Sequence, residues 1–173
     1  MTRIIIAKYS PSWGSHMPVL LKILGMSEGP VLELGIGPFS TPLLHILCES
    51  SGRKLVSYEG EPYYVERHAD FRSPNHEINL VKNKEDWGKI DIENTPWGMA
   101  FVDQHDFARA PSAARLANVA KFVVIHDSHP NSPKDPYGYE KIYSLFKYRY
   151  DYTKLWPNTT ILSNFVDVTK LEI

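Results

Sequence analysis

Short segments rich in apolar residues alternate along the chain with segments of helical periodicity. The apolar segments are four or five residues long and occupy residues 31–34, 54–58, 77–81, 99–102 and 121–125. Between them, apolar positions recur at helical spacing and predict helices over residues 16–24, 41–49, 62–70 and 111–120. Strands that alternate with helices in this way are typical of a parallel sheet covered by helices on both faces.

The C-terminal part of the chain follows a different pattern. Ile142, Leu145 and Phe146 predict one more helix over residues 136–148. Segments 150–155 and 159–169, separated by a turn at Pro157-Asn158, predict an antiparallel hairpin. The sequence therefore predicts a doubly wound, mostly parallel α/β sheet of seven strands that ends in this hairpin. At 173 residues it fits one domain, residues 1–173.

Two N-terminal segments carry predictions of their own. Residues 3–7 are apolar and β-branched, and predict a short edge strand or an ordered arm. Ser15 is placed to cap the first helix. Trp13 and His16 lie beside it, either as part of the wall of a pocket or as a packed indole and a solvated histidine.

Composition narrows the class of protein. With 19 basic and 20 acidic residues the net charge is −1, so no broad basic face for nucleic acid is evident. The single cysteine, Cys48, excludes an intramolecular disulfide and predicts a buried thiol in a reducing compartment. No segment approaches the roughly 20 apolar residues of a membrane span. We therefore expect a soluble cytoplasmic protein.

Candidate chemistry begins where the first predicted strand ends. Glu33-Leu-Gly35-Ile-Gly37 is followed by Ser40-Thr41, which opens the next helix. Glycines let the backbone turn sharply and approach a ligand, and the first N–H groups of a helix are free to face that ligand. A dinucleotide site would have a third glycine where this chain has Ser40.

The acid two residues before the first glycine resembles motif I of the class I S-adenosylmethionine (SAM) methyltransferases. The resemblance extends over residues 12 to 170 and implies that SAM is the cofactor. It implies that Glu33 orients the glycine loop and the methionine end of SAM. Gly35, Gly37, Ser40 and Thr41 would then form the cofactor loop.

Polar residues also follow the later strands, in order. An acid at the end of the second strand suits ribose hydroxyls, because a carboxylate can accept from both, and Glu59-Gly60 lies there. The resemblance implies that Asp86-Trp87, after the third strand, meets the adenine. Asp103 ends the fourth strand on the cofactor side, and His126-Asp127 ends the fifth.

Transfer to a hydroxyl acceptor would be helped by a general base. His126 is the first choice, with Asp103 and Asp127 beside it and His105 and His129 as alternatives. The resemblance also suggests a divalent metal ion bound by Asp103 and Asp127. The chain has Asp127-Ser128 where that family has an Asp-Asn pair, so no metal ligand is assigned.

The function predicted from these residues is methyl transfer from SAM to an unidentified acceptor, most simply a small-molecule hydroxyl. Loops 8–16, 104–110 and 127–139 would select the acceptor, and a second subunit of a homodimer could close the open pocket. A non-catalytic SAM-binding or structural partner protein stays open as an alternative, as does a nicotinamide-dependent oxidoreductase.

Overall fold

The computed structural model describes residues 10–129 and 134–173. The strand or arm expected at residues 3–7 lies outside the described residues. The described chain forms seven strands: β1 Val31–Leu34, β2 Leu55–Glu59, β3 His76–Leu80, β4 Met99–Val102, β5 Val123–His126, β6 Tyr148–Tyr152 and β7 Thr159–Ser163. Its four α-helices are α1 Met17–Met26, α2 Ser40–Ser51, α3 Pro62–Arg67 and α4 Asp106–Leu116.

All seven strands belong to one sheet in the order β3-β2-β1-β4-β5-β7-β6. β1 to β5 run parallel, and β7 inserts antiparallel between β5 and β6. The mostly parallel sheet with a C-terminal antiparallel hairpin is thereby confirmed.

The core lies on both faces of this sheet. Successive side chains of a strand point to opposite faces, so Leu32 joins one buried cluster while Val31 joins the other. The second cluster also holds Cys48 of α2, which is buried as expected. Because helices cover both faces, every residue of β1, β4 and β5 is buried.

The helix after β4 begins earlier than predicted. α4 starts at Asp106, so Pro111 lies inside the helix instead of at its first turn, and residues 106–110 are helical instead of a loop. A proline ring removes one N–H from a helix but does not exclude the helix on both sides of it. The sequence pattern therefore predicted the helix correctly but placed its start five residues too late.

The predicted helix over residues 136–148 is wrong. The segment forms two short 3-10 turns, Tyr139–Lys141 and Tyr143–Leu145, and then continues as β6. Asp135 accepts hydrogen bonds from the backbone N–H groups of Gly138 and Glu140 and so holds the first turn. A spacing of three residues is shared by 3-10 and α-helices, and it could not separate the two.

The chain reverses its direction of winding between β1 and β4, which are neighbours in the sheet. At such a switch point the carboxyl ends of the strands open into a crevice where α/β proteins bind ligands. Among the described residues, no helix is long and apolar enough to cross a membrane.

Candidate functional site

A cavity of about 420 Å³ opens at this crevice. Its wall is built from segments that are far apart in sequence: residues 12, 13 and 16, residues 36–40, residues 59, 61 and 64, residues 103–106 and 109, residues 126 and 127, and Pro157. The ends of β1, β2, β4 and β5 therefore meet around one space, as the row of polar strand ends predicted.

Gly35 forms the crossing between the ends of β1 and β4. It adopts φ +99°, a left-handed conformation, and a Cβ there would lie 2.5 Å from the carbonyl carbon and oxygen of Asp103. Any other residue would be strained by its backbone and would collide with β4. Glycine at this position lets Asp103 stand directly beside the loop.

Glu33 lies beneath the glycine loop and is fully buried. Thr41 Oγ1 and Ser57 Oγ donate hydrogen bonds to its two carboxyl oxygens, at 2.9 and 2.6 Å. Thr41 Oγ1 in turn accepts from the backbone N–H of Gly37 at 3.0 Å. Burial raises the pKa of Glu33 to about 7, and these hydrogen bonds only partly offset that effect. Glu33 thus supports the loop from below and is not on the cavity wall.

Glu59 is on the wall, at the end of β2. Its Oε2 accepts from the backbone N–H of Ile36 and its Oε1 from that of Glu61, each at 2.8 Å. Burial raises the pKa of Glu59, and the two backbone donors act against that shift. Gly60 follows with its backbone against the His105 ring. The Glu59 carboxylate is therefore fixed in place, with lone pairs left for a ligand.

Asp103 and Asp127 are joined by Arg109. The guanidinium lies 2.8 Å from a carboxylate oxygen of each acid, and its Nε donates to the carbonyl of Gln104 at 2.7 Å. Burial alone would raise the pKa of Asp103, but His126 and Arg109 outweigh it and the pKa is lowered. A divalent ion held between these two carboxylates would have to displace the guanidinium. The residues present do not fit the metal site that the sequence resemblance raised.

His126 is held from both sides. Its Nδ1 lies 3.2 Å from an oxygen of Asp103, and its Nε2 lies 2.9 Å from Ser15 Oγ. Ser15 donates its one hydroxyl proton to the carbonyl of Pro157 at 2.6 Å, so it accepts from His126 Nε2–H. Burial would lower the pKa of His126, but Asp103 outweighs burial and raises it.

The hydrogen-bonded series Ser15, His126, Asp103 has the connectivity of a hydrolase triad, but Ser15 cannot act as its nucleophile. Ser15 is buried away from the cavity wall, and its proton already goes to a backbone carbonyl. A nucleophile has to reach the substrate and hand its proton to the histidine. Ser15 is a support for His126, and it does not cap α1, which begins after His16.

His16 stands on the cavity wall beside His126, with the two ring centres 4.6 Å apart and edge-on. It is buried, and among the described residues neither of its ring nitrogens has a hydrogen-bond partner. Burial, reinforced by the charge of His126, lowers the pKa of His16 to about 3. The expectation of a wall residue fits this position, whereas a solvated histidine does not.

Two predicted cofactor residues are not brought to this cavity. The Asp86 carboxylate accepts from Asn83 and Lys89 on the outside of the loop after β3. Trp87 is buried beside α4, where it lines a second cavity of about 370 Å³. A 3-10 turn over Lys84–Gly88 points both side chains away from the first cavity. The sequence spacing did not predict this turn.

The remaining candidates divide between the wall and its surroundings. Gly37, Ser40 and His105 line the cavity, whereas Thr41 lies one layer behind it. His129 stacks on the Trp156 ring outside the cavity.

Sequence reasoning missed Arg109. It placed Arg109 in the loop 104–110 and gave no sign that a helix would carry its side chain between two acids. Arg109 lies six positions after Asp103. That spacing indicates an ion pair only when it is known that the helix begins at Asp106.

No protein-family model matches the chain, and no curated protein sequence matches it. Solved structures do. The O-methyltransferase TomG from Streptomyces achromogenes, in complex with SAM, is 17% identical, with 90% of this chain and 81% of that chain covered and a TM-score of 0.61. An O-methyltransferase from Bacillus cereus, in complex with SAH, is 18% identical over 88% and 80% of the two chains, with a TM-score of 0.59. At such identities the likeness shows the fold alone, which this chain shares with these two enzymes.

Proposed function

We propose that this chain is a SAM-dependent methyltransferase that transfers a methyl group to a hydroxyl of a small-molecule acceptor. The observation that carries the proposal is the Glu59 carboxylate, fixed by two backbone N–H groups on the wall of a cavity at the switch point. The same fold occurs in O-methyltransferases whose structures contain SAM or SAH, which supports the choice of cofactor.

The residues present fit such a cofactor. Each Glu59 oxygen uses one lone pair on the backbone, which leaves one on each for vicinal ribose hydroxyls. The loop 36–40 would hold the methionine end, and Tyr64 and His105 bound the cavity beyond Glu59 where a base would lie. When bound, SAM supplies an electrophilic methyl group on a sulfonium.

His126 and Asp103 are the groups placed to take the acceptor proton. Methyl transfer is an in-line displacement, so the protein mainly has to hold the acceptor oxygen at contact distance. Because Ser15 keeps the Nε2 proton in place, His126 becomes a base by losing the proton on Nδ1, the nitrogen that faces Asp103. Asp103 raises the pKa of His126, so the neutral form is reached only above its ordinary value of 6.5. We expect the rate of transfer to rise with pH through a midpoint above 6.5.

Calorimetric titration of the protein with S-adenosylhomocysteine, with NAD as the control ligand, tests the cofactor. Glu59→Gln removes the charge from the carboxyl but keeps its size, and we expect roughly 10- to 150-fold weaker binding, the value of a hydrogen bond to a charged group. Glu61→Gln, at an exposed acid on the same wall, is the matched control and should bind as the parent does. Equal binding by the Glu59→Gln variant, or binding of NAD alone, would contradict the assignment.

Turnover separates an enzyme from a non-catalytic binder. SAM is supplied with a panel of hydroxylated small molecules, and release of S-adenosylhomocysteine is measured for the parent and for His126→Gln. Acceptor-dependent release that falls in the variant, while cofactor affinity stays unchanged, supports the proposal. Tight cofactor binding with no release for any acceptor would favour the non-catalytic alternative.

A further inference from the structure

We infer that His16, Asp103 and His126 form a binding site for a divalent transition-metal ion on the wall of the cavity. Each residue offers one ligand atom, and the three atoms lie within 4.8 Å of one another. The three residues come from the start of α1, the end of β4 and the end of β5, and all three line the same cavity. Binding of the ion alone does not depend on the proposed methyl transfer.

His16 is the residue of this cluster whose ring nitrogens lack a partner among the described residues. A buried polar atom without a hydrogen bond is destabilising, and both ring nitrogens of His16 are unpartnered in this way among the described residues. A neutral imidazole has one lone pair to give, which is what a metal ion uses. An ion on the wall would use the nitrogen that faces the other two ligands.

The contact between His126 and Asp103 also needs a cation. Because Nε2 carries a proton that it donates to Ser15, the Nδ1 lone pair of a neutral His126 faces the Asp103 carboxylate at 3.2 Å. Either a second proton or a metal ion has to lie between them. Ser15 then acts as the outer partner that fixes the ring and tautomer of a metal-bound histidine.

The distances allow an ion with a small movement. Bonds of about 2.0–2.1 Å in a tetrahedral site place ligand atoms roughly 3.3 Å apart. The separation between His126 and Asp103 already matches this spacing. The widest separation has to close by about 1.5 Å, and His16 can provide this by turning about χ2, a broad torsion, since no hydrogen bond holds its ring.

The ligand set indicates the class of ion. Two imidazoles with one carboxylate suit a first-row ion such as Zn²⁺ or Co²⁺, whereas Mg²⁺ and Ca²⁺ require mainly oxygen. The site is distinct from the pair of acids joined by Arg109, because it uses the other oxygen of Asp103 and leaves Asp127 with the guanidinium. Three protein ligands leave an open position, which would face the cavity. An ion on Nδ1 of His126 replaces the proton on that nitrogen, so His126 acts as the base only in the metal-free protein.

The test uses the full chain, freed of metal with EDTA and dialysed, without SAM or acceptor. Zn²⁺ is titrated calorimetrically, and Co²⁺ is followed by its visible absorption. We expect one ion per chain. His16→Gln and Asp103→Asn should each weaken binding at least tenfold, the loss that removal of even an outer partner brings. His105→Gln, at a histidine on the same wall outside the cluster, should bind as the parent does.

Folding of each variant is checked by its thermal midpoint in EDTA, and His16→Asn replaces His16→Gln if the latter does not fold. Failure of the parent to bind either ion would overturn the inference. So would binding that His16→Gln leaves unchanged, or that His105→Gln weakens equally. Because SAH binding is measured separately, failure here leaves the proposed function untouched, and the reverse also holds.

Discussion

Glu33→Gln tests the electrostatics under the glycine loop. The pKa of Glu33 is raised from 4.5 to about 7 by burial, while Thr41 and Ser57 keep both carboxyl oxygens hydrogen-bonded. Between pH 4.5 and 7 the folded protein therefore holds a proton that the unfolded chain releases. Stability from this group is complete below pH 4.5 and is lost as the pH rises towards 7.

The magnitude follows from the shift. A difference of about 2.5 pKa units corresponds to about 3 kcal/mol of unfolding free energy lost across this window. Glutamine is neutral at every pH and has nearly the same shape, and the hydroxyls of Thr41 and Ser57 can turn to suit it. The variant should therefore lack this fall. Its free energy of unfolding relative to the parent should rise by about 3 kcal/mol between pH 4.5 and 7.5.

Urea unfolding at half-unit steps of pH measures both proteins. Their difference isolates Glu33, because the other titrating groups are common to the two. Glu77→Gln, at an exposed acid on β3, provides the matched control, and its difference from the parent should show no such rise. A difference between Glu33→Gln and the parent that stays constant with pH would refute the reasoning.

Three further substitutions or measurements follow from the same site. Gly35→Ala should cost several kcal/mol of unfolding free energy in urea because its Cβ meets Asp103, whereas Gly25→Ala, in open space on α1, should add up to about 1 kcal/mol; equal effects would contradict the close crossing. Arg109→Gln leaves two partly buried acids without their partner and should lower the free energy of unfolding by about 3–5 kcal/mol at pH 7. The loss should be smaller at pH 3, because the ionised Asp103 stabilises the fold above its ordinary pKa of 3.8 and this contribution is lost as the pH falls. An equal loss at both pH values would argue against the charge pairing. Cys48, whose pKa burial raises to about 11 from 9.0, should carry about 100-fold less thiolate at pH 8 in the folded protein than in urea, and alkylation at similar rates in both would show an accessible thiol.

Much of the fold could be predicted because its signals are local. A buried parallel strand is a short apolar run, and four of the five such runs are followed directly by a polar residue. The glycine turn after β1 could also be predicted, since a sharp turn before a helix start favours Gly35, but its close crossing with β4 could not. The helix predicted over residues 136–148 was wrong, because the three-residue spacing of Tyr139 and Ile142 occurs in α- and 3-10 helices alike.

The site shows the same division. Strand ends have fixed positions in a parallel sheet, and Glu59, Asp103 and His126 do meet at one cavity. Direction after a strand end is set by the following turn, which carries Asp86 and Trp87 away from that cavity. Arg109 and Ser15 act across 18 and 111 residues of sequence, and no local pattern specifies such a partner.

The hydrogen bond from Ser15 to the Pro157 carbonyl spans 142 residues. The residues of β1 to β5 are synthesised before Pro157, so this support of His126 is added after the strands that form the crevice. Contacts this distant in sequence close late and slow the completion of a fold. The nascent protein would therefore hold a sheet well before it held a finished binding site. Proteolytic loss of the β6–β7 pair would return a mature molecule to that condition.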